Sequence, residues 1–197
     1  ICFLHAYVNP IHEERARGIA QALYPDLRIT TSNEVLPFMR EYERWTTTTI
    51  NAYVQPLTSH YLDNLESGLA EMGFRGHLLI MTSSGGMATP TLARRFPVRL
   101  VESGPAAGAL MAAFIGRQAG ELDLLSFDMG GTTAKGAPIR GGRALRRYEI
   151  EVAREHEFKQ GSGLPLRIPV IDMIEIGAGG GSIAAVDERN LLAVGPR

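Results

Sequence analysis

Apolar residues recur at three- and four-residue spacing along residues 38–72, at Ile50, Tyr53, Val54, Leu57, Tyr61, Leu65 and Leu69, which predicts one long helix with an apolar stripe. Pro56 lies inside the pattern and should kink or split it. Upstream, residues 1–4 read as a buried strand already under way. Asn9-Pro10 then starts a helix, with Asn as N-cap, Pro at the first helical position and Glu13-Glu14 in the first turn. That helix is expected to run to about Leu23, followed by a short strand over 27–31. Downstream, residues 77–81 form a strand-length apolar run, residues 82–86 a polar loop, 90–96 a short helix and 98–101 another strand. An alanine-rich helix follows Glu102-Ser103-Gly104-Pro105 and ends near Gly120. This alternation is the signature of α/β layering.

From Leu124 the pattern changes. Residues 124–127, 134–139 and 144–152 read as successive strands of a β-meander, interrupted by a polar segment over 155–166 and resumed over 168–176. Gly177 to Ser182 follow directly as a glycine-rich stretch. The chain divides on this reading into an α/β segment with a long kinked helix over 1–122 and a β-meander with a turn and glycine loop over 123–197. One continuous domain remains the alternative.

The meander's first turn carries the chemistry. Asp128-Met129-Gly130-Gly131-Thr132-Thr133 joins an apolar strand to a returning one. Glycines lack the Cβ that keeps backbone N–H groups from an anion and can take φ values closed to other residues, and the threonines add hydroxyl donors. Asp128 conflicts with an anion, because a carboxylate about 4 Å from a phosphate charge is repelled by roughly 4 kcal/mol at an effective dielectric near 20. A divalent cation removes the conflict, since Mg²⁺ binds through one or two carboxylates plus substrate phosphates. A plain hairpin with an Asx-type turn reads the same residues.

Balanced charge, with a formal net of −1, argues against nucleic acid or anionic membrane as principal partners. The basic cluster Arg140, Arg143, Arg146 and Arg147 flanks Gly141-Gly142 and reads as a solvated hairpin tip. A single cysteine, Cys2, excludes an intramolecular disulfide and multi-cysteine zinc patterns, and points to a reducing, cytoplasmic compartment. No apolar run is long enough to span a membrane and no signal peptide opens the chain. The five histidines show no metal-ligand spacing, and Glu149, Glu151, Glu155 and Glu157 read as a solvated strand edge. The opening, without an initiator Met or polar lead-in, is that of a piece of something longer.

An alanine-rich helix with Gly-Pro at its start, a strand, then an acidic Gly-Gly-Thr hairpin resembles the second half of the actin, Hsp70 and sugar-kinase ATPase superfamily. Arg40-Glu41-Tyr42-Glu43-Arg44, Ile50-Asn51-Ala52-Tyr53-Val54-Gln55-Pro56, Glu102-Ser103-Gly104-Pro105-Ala106-Ala107-Gly108, Phe127 to Thr132 and Ile176 to Ala184 narrow the likeness to the hydantoinase A/5-oxoprolinase family. The resemblance implies an α/β fold: a ribonuclease-H-like, actin-like ATPase lobe with a mixed sheet and flanking helices, an incomplete copy of a two-lobed fold. It implies ATP and Mg²⁺ as cofactors and Asp128 as catalytic residue and metal ligand. Gly130, Gly131, Thr132 and Thr133 would be the second phosphate loop, facing a first one upstream of this chain. The activity implied is hydrolysis of a cyclic amide, such as a hydantoin or 5-oxoproline, activated by phosphorylation. A small cyclic amide or ketone would be the substrate and a second hydantoinase or carboxylase subunit the partner. An isolated piece of such an enzyme is expected to be inactive.

Two departures leave alternatives open. Many family members continue the loop as Thr-Ser-Thr-Asp, whereas here Thr132-Thr133-Ala134-Lys135 replaces the acid by a base; Lys135 either meets phosphate or faces solvent on the returning strand. Gly179, Gly180, Gly181 and Ser182 offer either backbone contacts to a ligand or a flexible connection. They do not meet the dinucleotide-binding pattern, because the third glycine falls at Ser182. Ser103-Gly104-Pro105 reads as helix capping, with an anion contact as the alternative, and Gly108 as a close helix-to-strand approach. Residues 83–86 read as a strand-to-helix loop. The rival functions are a ketone carboxylase subunit and a non-catalytic ATP-binding scaffold.

Overall fold

The computed structural model describes residues 1–156 and 159–195 of this mixed α and β chain. Its helices are α1 (Ile11–Leu23), α2 (Ser32–Val35), α3 (Glu41–Glu71), α4 (Pro90–Arg95) and α5 (Ser103–Ala119). Its strands are β1 (Ile80–Met81), β2 (Met87–Ala88), β3 (Leu124–Met129), β4 (Ala134–Arg140), β5 (Arg143–Ala144), β6 (Arg146–Arg147), β7 (Ile150–Val152), β8 (Leu164–Leu166), β9 (Val170–Ile171), β10 (Ile174–Ile176), β11 (Ile183–Val186) and β12 (Leu192–Gly195). They form two compact units, one of Ile1–Val101 with Arg147–Val170, the other of Glu102–Arg146 with Ile171–Arg197.

In the first unit the long helix is present, but its apolar stripe is only partly covered and its most buried positions are largely polar. Ile50, Val54, Leu65 and Leu69 are half-buried and Tyr53, Leu57 and Tyr61 exposed, while Arg44, Thr47, Thr48, Asn51, Ser59 and Leu62 are buried. These buried positions recur at helical spacing, and the polar ones serve other elements' backbones. Asn51 donates to the carbonyl of Arg95, the last residue of α4, at 3.1 Å and accepts from the Val98 N–H at 3.2 Å. Thr47 Oγ1 donates to the Glu43 carbonyl at 2.6 Å and accepts the Arg167 N–H at 3.0 Å, while Thr46 Oγ1 donates to the Pro165 carbonyl at 2.8 Å. α3 thus caps segments too short to satisfy their own ends. The helix continues unbroken through Pro56.

Residues 1–4 form no strand, nor do 27–31 or 98–101. The first two stretches satisfy their backbones without a ladder: the Ile1 ammonium donates to the Thr30 carbonyl at 2.7 Å, and the Ser32 N–H to the Ile1 carbonyl at 2.9 Å. Phe3 N–H donates to Glu13 Oε1 at 2.8 Å, and its carbonyl accepts from Arg44 Nη2 at 2.6 Å. Glu13, fully buried, also accepts from Ser32 Oγ at 2.5 Å and Asn33 N–H at 2.9 Å. Pro97 opens a 3₁₀ turn over Pro97–Leu100 where a strand was expected. The apolar core of this unit is Val35, Phe96, Val98, Leu166, Ile168 and Val170. α1 starts one residue later than predicted, with Pro10 and not Asn9 as its N-cap and no side-chain cap, although Asn9 Oδ1 accepts the Ile11 N–H at 3.1 Å.

The second unit is built on an antiparallel sheet ordered β10-β4-β3, with β5 also paired to β4. Every strand pair within either unit is antiparallel, where a mixed sheet was expected. The predicted strand over 144–152 divides, and its later part, β7, pairs with β8 in the first unit. Gly141 and Gly142 both have positive φ, as a two-residue hairpin loop of this hand requires. α5 lies against one sheet face through Ala106 and Ala109 packed with Ala137 and Ile171. The alternate face leaves Leu125, Phe127, Met129, Ile174 and Ile176 exposed. Close approach falls at Gly116, where a Cβ would lie 2.7 Å from the Glu121 carbonyl oxygen, and not at Gly108, which has open space.

Asn51→Ala should destabilise this chain by about 1–3 kcal/mol, because the Val98 N–H stays buried without its acceptor. Tyr53→Ala, on the exposed stripe, should change stability by no more than about 0.5 kcal/mol. Urea denaturation of both variants checks that the polar position and not the exposed aromatic one supports the fold, which equal losses would contradict.

Candidate functional site

β3 and β4 pair from Leu124↔Ile139 to Met129↔Ala134, so the connecting turn is Gly130-Gly131-Thr132-Thr133. Within it, the Gly130 N–H donates to the Thr133 carbonyl at 2.9 Å. Among the described residues, the N–H groups of Gly131, Thr132 and Thr133 have no hydrogen-bond partner. Gly131 and Thr132 are exposed and Thr133 is half-buried, so those donors sit at an accessible tip. Neither glycine occupies the left-handed region, so the conformational freedom glycine offers is not used at this turn. A Cβ on Gly131 would meet nothing within 4 Å. Its small size leaves room over the turn.

The glycine-rich stretch forms a brace for that turn. Gly180 N–H donates to the Gly130 carbonyl at 2.9 Å and Gly181 N–H to the Gly131 carbonyl at 3.0 Å. Gly179 N–H is taken by Ser182 Oγ at 3.0 Å, and Ser182 N–H by the Gly179 carbonyl at 2.9 Å. All four backbone donors of residues 179–182 are therefore spent within the protein. A Cβ on Gly179 would lie 2.7 Å from three backbone atoms of Gly131 and Thr132, so only glycine allows the contact. With two carbonyls anchored from behind, the turn is held open at its front.

Asp128, one residue before the end of β3, is exposed, and among the described residues its carboxylate has no ion-pair or hydrogen-bond partner. Lys135 stands directly opposite it on β4, yet is engaged elsewhere. Its ammonium pairs with the Glu102 carboxylate and lies 3.5 Å from Glu175 Oε1. Burial opposes the charge on Lys135, but the Glu102 hydrogen bond and the charges of Glu102 and Glu175 outweigh it and raise the pKa above the ordinary lysine value. In this structure Lys135 neither faces solvent nor stands free. Glu102 and Glu175 were not singled out from the sequence. Glu102 heads the Ser-Gly-Pro motif and Glu175 is the lone acid between two isoleucines on β10, and those were the available signals.

Glu102 precedes α5 with φ +64°, and no side chain caps that helix; Ser103 is its first residue, not its cap. Residues 83–86 close the β1–β2 hairpin, with the Thr82 and Gly86 backbones bonded at 2.9 Å and Ser83 N–H donating to the Arg99 carbonyl at 2.8 Å. Glu149 pairs with Arg167 at 3.0 Å and Glu151 with Arg154 at 3.2 Å, while Glu157 lies outside the described residues. Among the described residues, no three His, Cys, Asp or Glu side chains group to hold a metal ion. A cation at Asp128 would therefore meet at most one further such side chain among the described residues, and Mg²⁺ binds through one or two carboxylates when phosphate oxygens and waters complete its shell.

The chain is thus a mixed α and β chain that presents an exposed acid beside a braced turn with free backbone donors. The hydantoinase/oxoprolinase family model matches residues 44–197, and the chain belongs to that family. It is 47% identical, along its whole length, to an uncharacterized protein of Methanocaldococcus jannaschii, of which it covers 29%. It is 32% identical over its whole length to the caprolactamase alpha subunit of Pseudomonas jessenii, covering 27% of that protein. The crystal structure of that organism's ATP-dependent caprolactamase superposes with a TM-score of 0.76 over 98% of this chain and 26% of the other. A nucleotide-free acetone carboxylase structure gives the same TM-score at 25% identity, over all of this chain and 27% of its own. The chain thus spans less than a third of the relatives it matches. Homologues in this family include 5-oxoprolinases and carboxylase subunits.

Gly179→Ala should detach the brace: the Gly180 and Gly181 amides should exchange with deuterium at least about tenfold faster, as lost protection of a local opening. Unchanged protection would mean that the close contact is not what holds the turn.

Proposed function

We propose that this chain is the second phosphate loop and surrounding lobe of an Mg-ATP-dependent cyclic amidohydrolase, of actin-like ATPase architecture. The observation that carries the reading is the tip at Gly131, Thr132 and Thr133, three backbone donors without partners beside an unpaired carboxylate. Phosphoryl transfer asks a protein mainly to position phosphates and stabilise charge, which such a turn does without a nucleophilic side chain. The backbone N–H groups and threonine hydroxyls would orient phosphate oxygens, and Asp128 would hold the cation. Bound Mg²⁺ would supply neutralisation of the phosphate charge. The amide oxygen of the ring would take the γ-phosphoryl group, releasing ADP. Water would then add at the activated carbon, the ring C–N bond would break with the nitrogen leaving as the protonated amine, and a second water would hydrolyse the resulting acyl phosphate to the ring-opened acid and free phosphate.

Gly179 to Ser182 serve this reading as support for the turn, since their own donors are occupied. The likeness to an ATP-dependent caprolactamase at 32% identity, against 25% for acetone carboxylase, favours a cyclic amide over a ketone as the substrate. A partner subunit accords with relatives whose names make them subunits.

In the family-length protein with its partner subunit, ATP turnover should rise with a hydantoin, lactam or 5-oxoproline and release the ring-opened acid in step with phosphate. Bicarbonate-dependent consumption of a ketone would instead assign the carboxylase, and nucleotide binding without any coupled turnover the scaffold. Asp128→Asn should abolish magnesium-dependent binding of a nonhydrolysable ATP analogue in calorimetry. Gly131→Ala should fold with wild-type stability, its Cβ having open space, yet bind the analogue about tenfold more weakly by crowding the phosphate. The isolated 197-residue chain should hydrolyse ATP at no more than the buffer rate; enzyme-like turnover by it would refute the assignment of this piece as one half of a site.

A further inference from the structure

Asp128, Lys135 and Glu175 occupy one row across the sheet, because Asp128 pairs in register with Lys135 on β4 and Lys135 with Glu175 on β10. Directly opposed residues on antiparallel strands point to the same face, with Cα atoms about 4.5–5.5 Å apart. A lysine in the middle of this row has an acid on either side. It is drawn to one side only: its ammonium joins Glu102 and approaches Glu175, while Asp128 keeps no ion-pair partner among the described residues. Its side chain is 16% exposed, so the choice is fixed in a part-buried place and not left to solvent.

We propose that Glu102 and Glu175 are positioning residues that hold Lys135 away from Asp128, and so keep the Asp128 carboxylate available to the cation of Mg-nucleotide. The inference rests on the Mg-nucleotide reading above and assigns Lys135 no contact with phosphate. Without the two acids, the Asp128 carboxylate directly across the strand pair is a cross-strand neighbour open to the ammonium. A lysine bound there would neutralise Asp128 and compete with the divalent cation for it. Glu102 is suited to the task because it is anchored at the start of α5 in a left-handed backbone conformation, where its side chain reaches the strand from the helix side. Glu175 is fixed by the ladder itself.

The test is a charge-suppression series in the family-length protein, with a nonhydrolysable Mg-ATP analogue titrated by calorimetry. E102Q/E175Q should weaken binding about tenfold, as expected when a competing ammonium takes the metal's carboxylate. Adding K135M to that background should restore affinity to within about threefold of wild type, because the competitor is gone. A merely structural role for the two glutamates would leave the triple variant as weak as the double. K135M alone should bind the analogue normally. Weakening in that variant would place Lys135 on the phosphate and overturn the inference, and it decides the matter even where the double variant folds poorly. A double variant that folds and binds as wild type would overturn it as well. If the wild-type protein binds no Mg-nucleotide, the site reading itself fails, an outcome distinct from all of these.

Discussion

The candidate site depends on two backbone hydrogen bonds, from Gly180 and Gly181 to the carbonyls of Gly130 and Gly131. A tight turn's carbonyls and amides ordinarily find each other or water, and the turn closes on itself. Here an outside strip of chain satisfies the carbonyls, and one internal bond, from Gly130 to Thr133, satisfies one amide. The remaining amides are left at an exposed tip with a shared direction of approach. Gly179 makes this possible sterically, since any Cβ there would intrude on the turn's backbone. The shape of this tip is thus fixed by a glycine some fifty residues away in sequence, through backbone contacts alone.

Electrostatics divide the labour in the second unit in a matching way. Three acids, Asp128, Glu102 and Glu175, share a neighbourhood with a single base. Lys135 satisfies the two that are part of the scaffold and leaves the one at the tip. Uneven pairing of this kind concentrates negative charge where a cation can reach it. On the proposed reading, the donors on the adjacent turn would then meet a phosphate whose charge is already compensated.

The sequence made this hairpin turn legible because it is local: an apolar strand, an acid, two glycines, two threonines and a returning strand lie within a dozen residues. The helices α1, α4 and α5 were legible for the same reason, each having its own start signal or stop. Misreadings arose where partners are distant. Residues 1–4 and 27–31 have strand-like composition, but their hydrogen-bonding groups go to each other, Glu13 and Arg44, so no ladder forms. The role of Gly179 to Ser182 was hidden because a glycine run looks alike whether it binds a ligand or another stretch of backbone. Lys135 was undecided because its partners sit at residues 102 and 175.

α3 shows the same limit more sharply. Its apolar stripe was plain, and the periodicity was read correctly, but periodicity reports spacing and not which side is covered. The side that is buried in this unit carries Arg44, Thr47, Thr48 and Asn51, residues whose side chains stand in for missing backbone partners of short neighbours. A unit whose strands are two or three residues long has many unsatisfied chain ends, and an unsatisfied buried amide costs about 1–3 kcal/mol, comparable with burial of one aliphatic side chain. For such a unit a helix that offers hydroxyls and amides to its neighbours removes as large a penalty as an apolar face would. The polar run Thr46 to Thr49 followed by Asn51 is the sequence trace of that solution. It is readable as such only once the ends it serves are known.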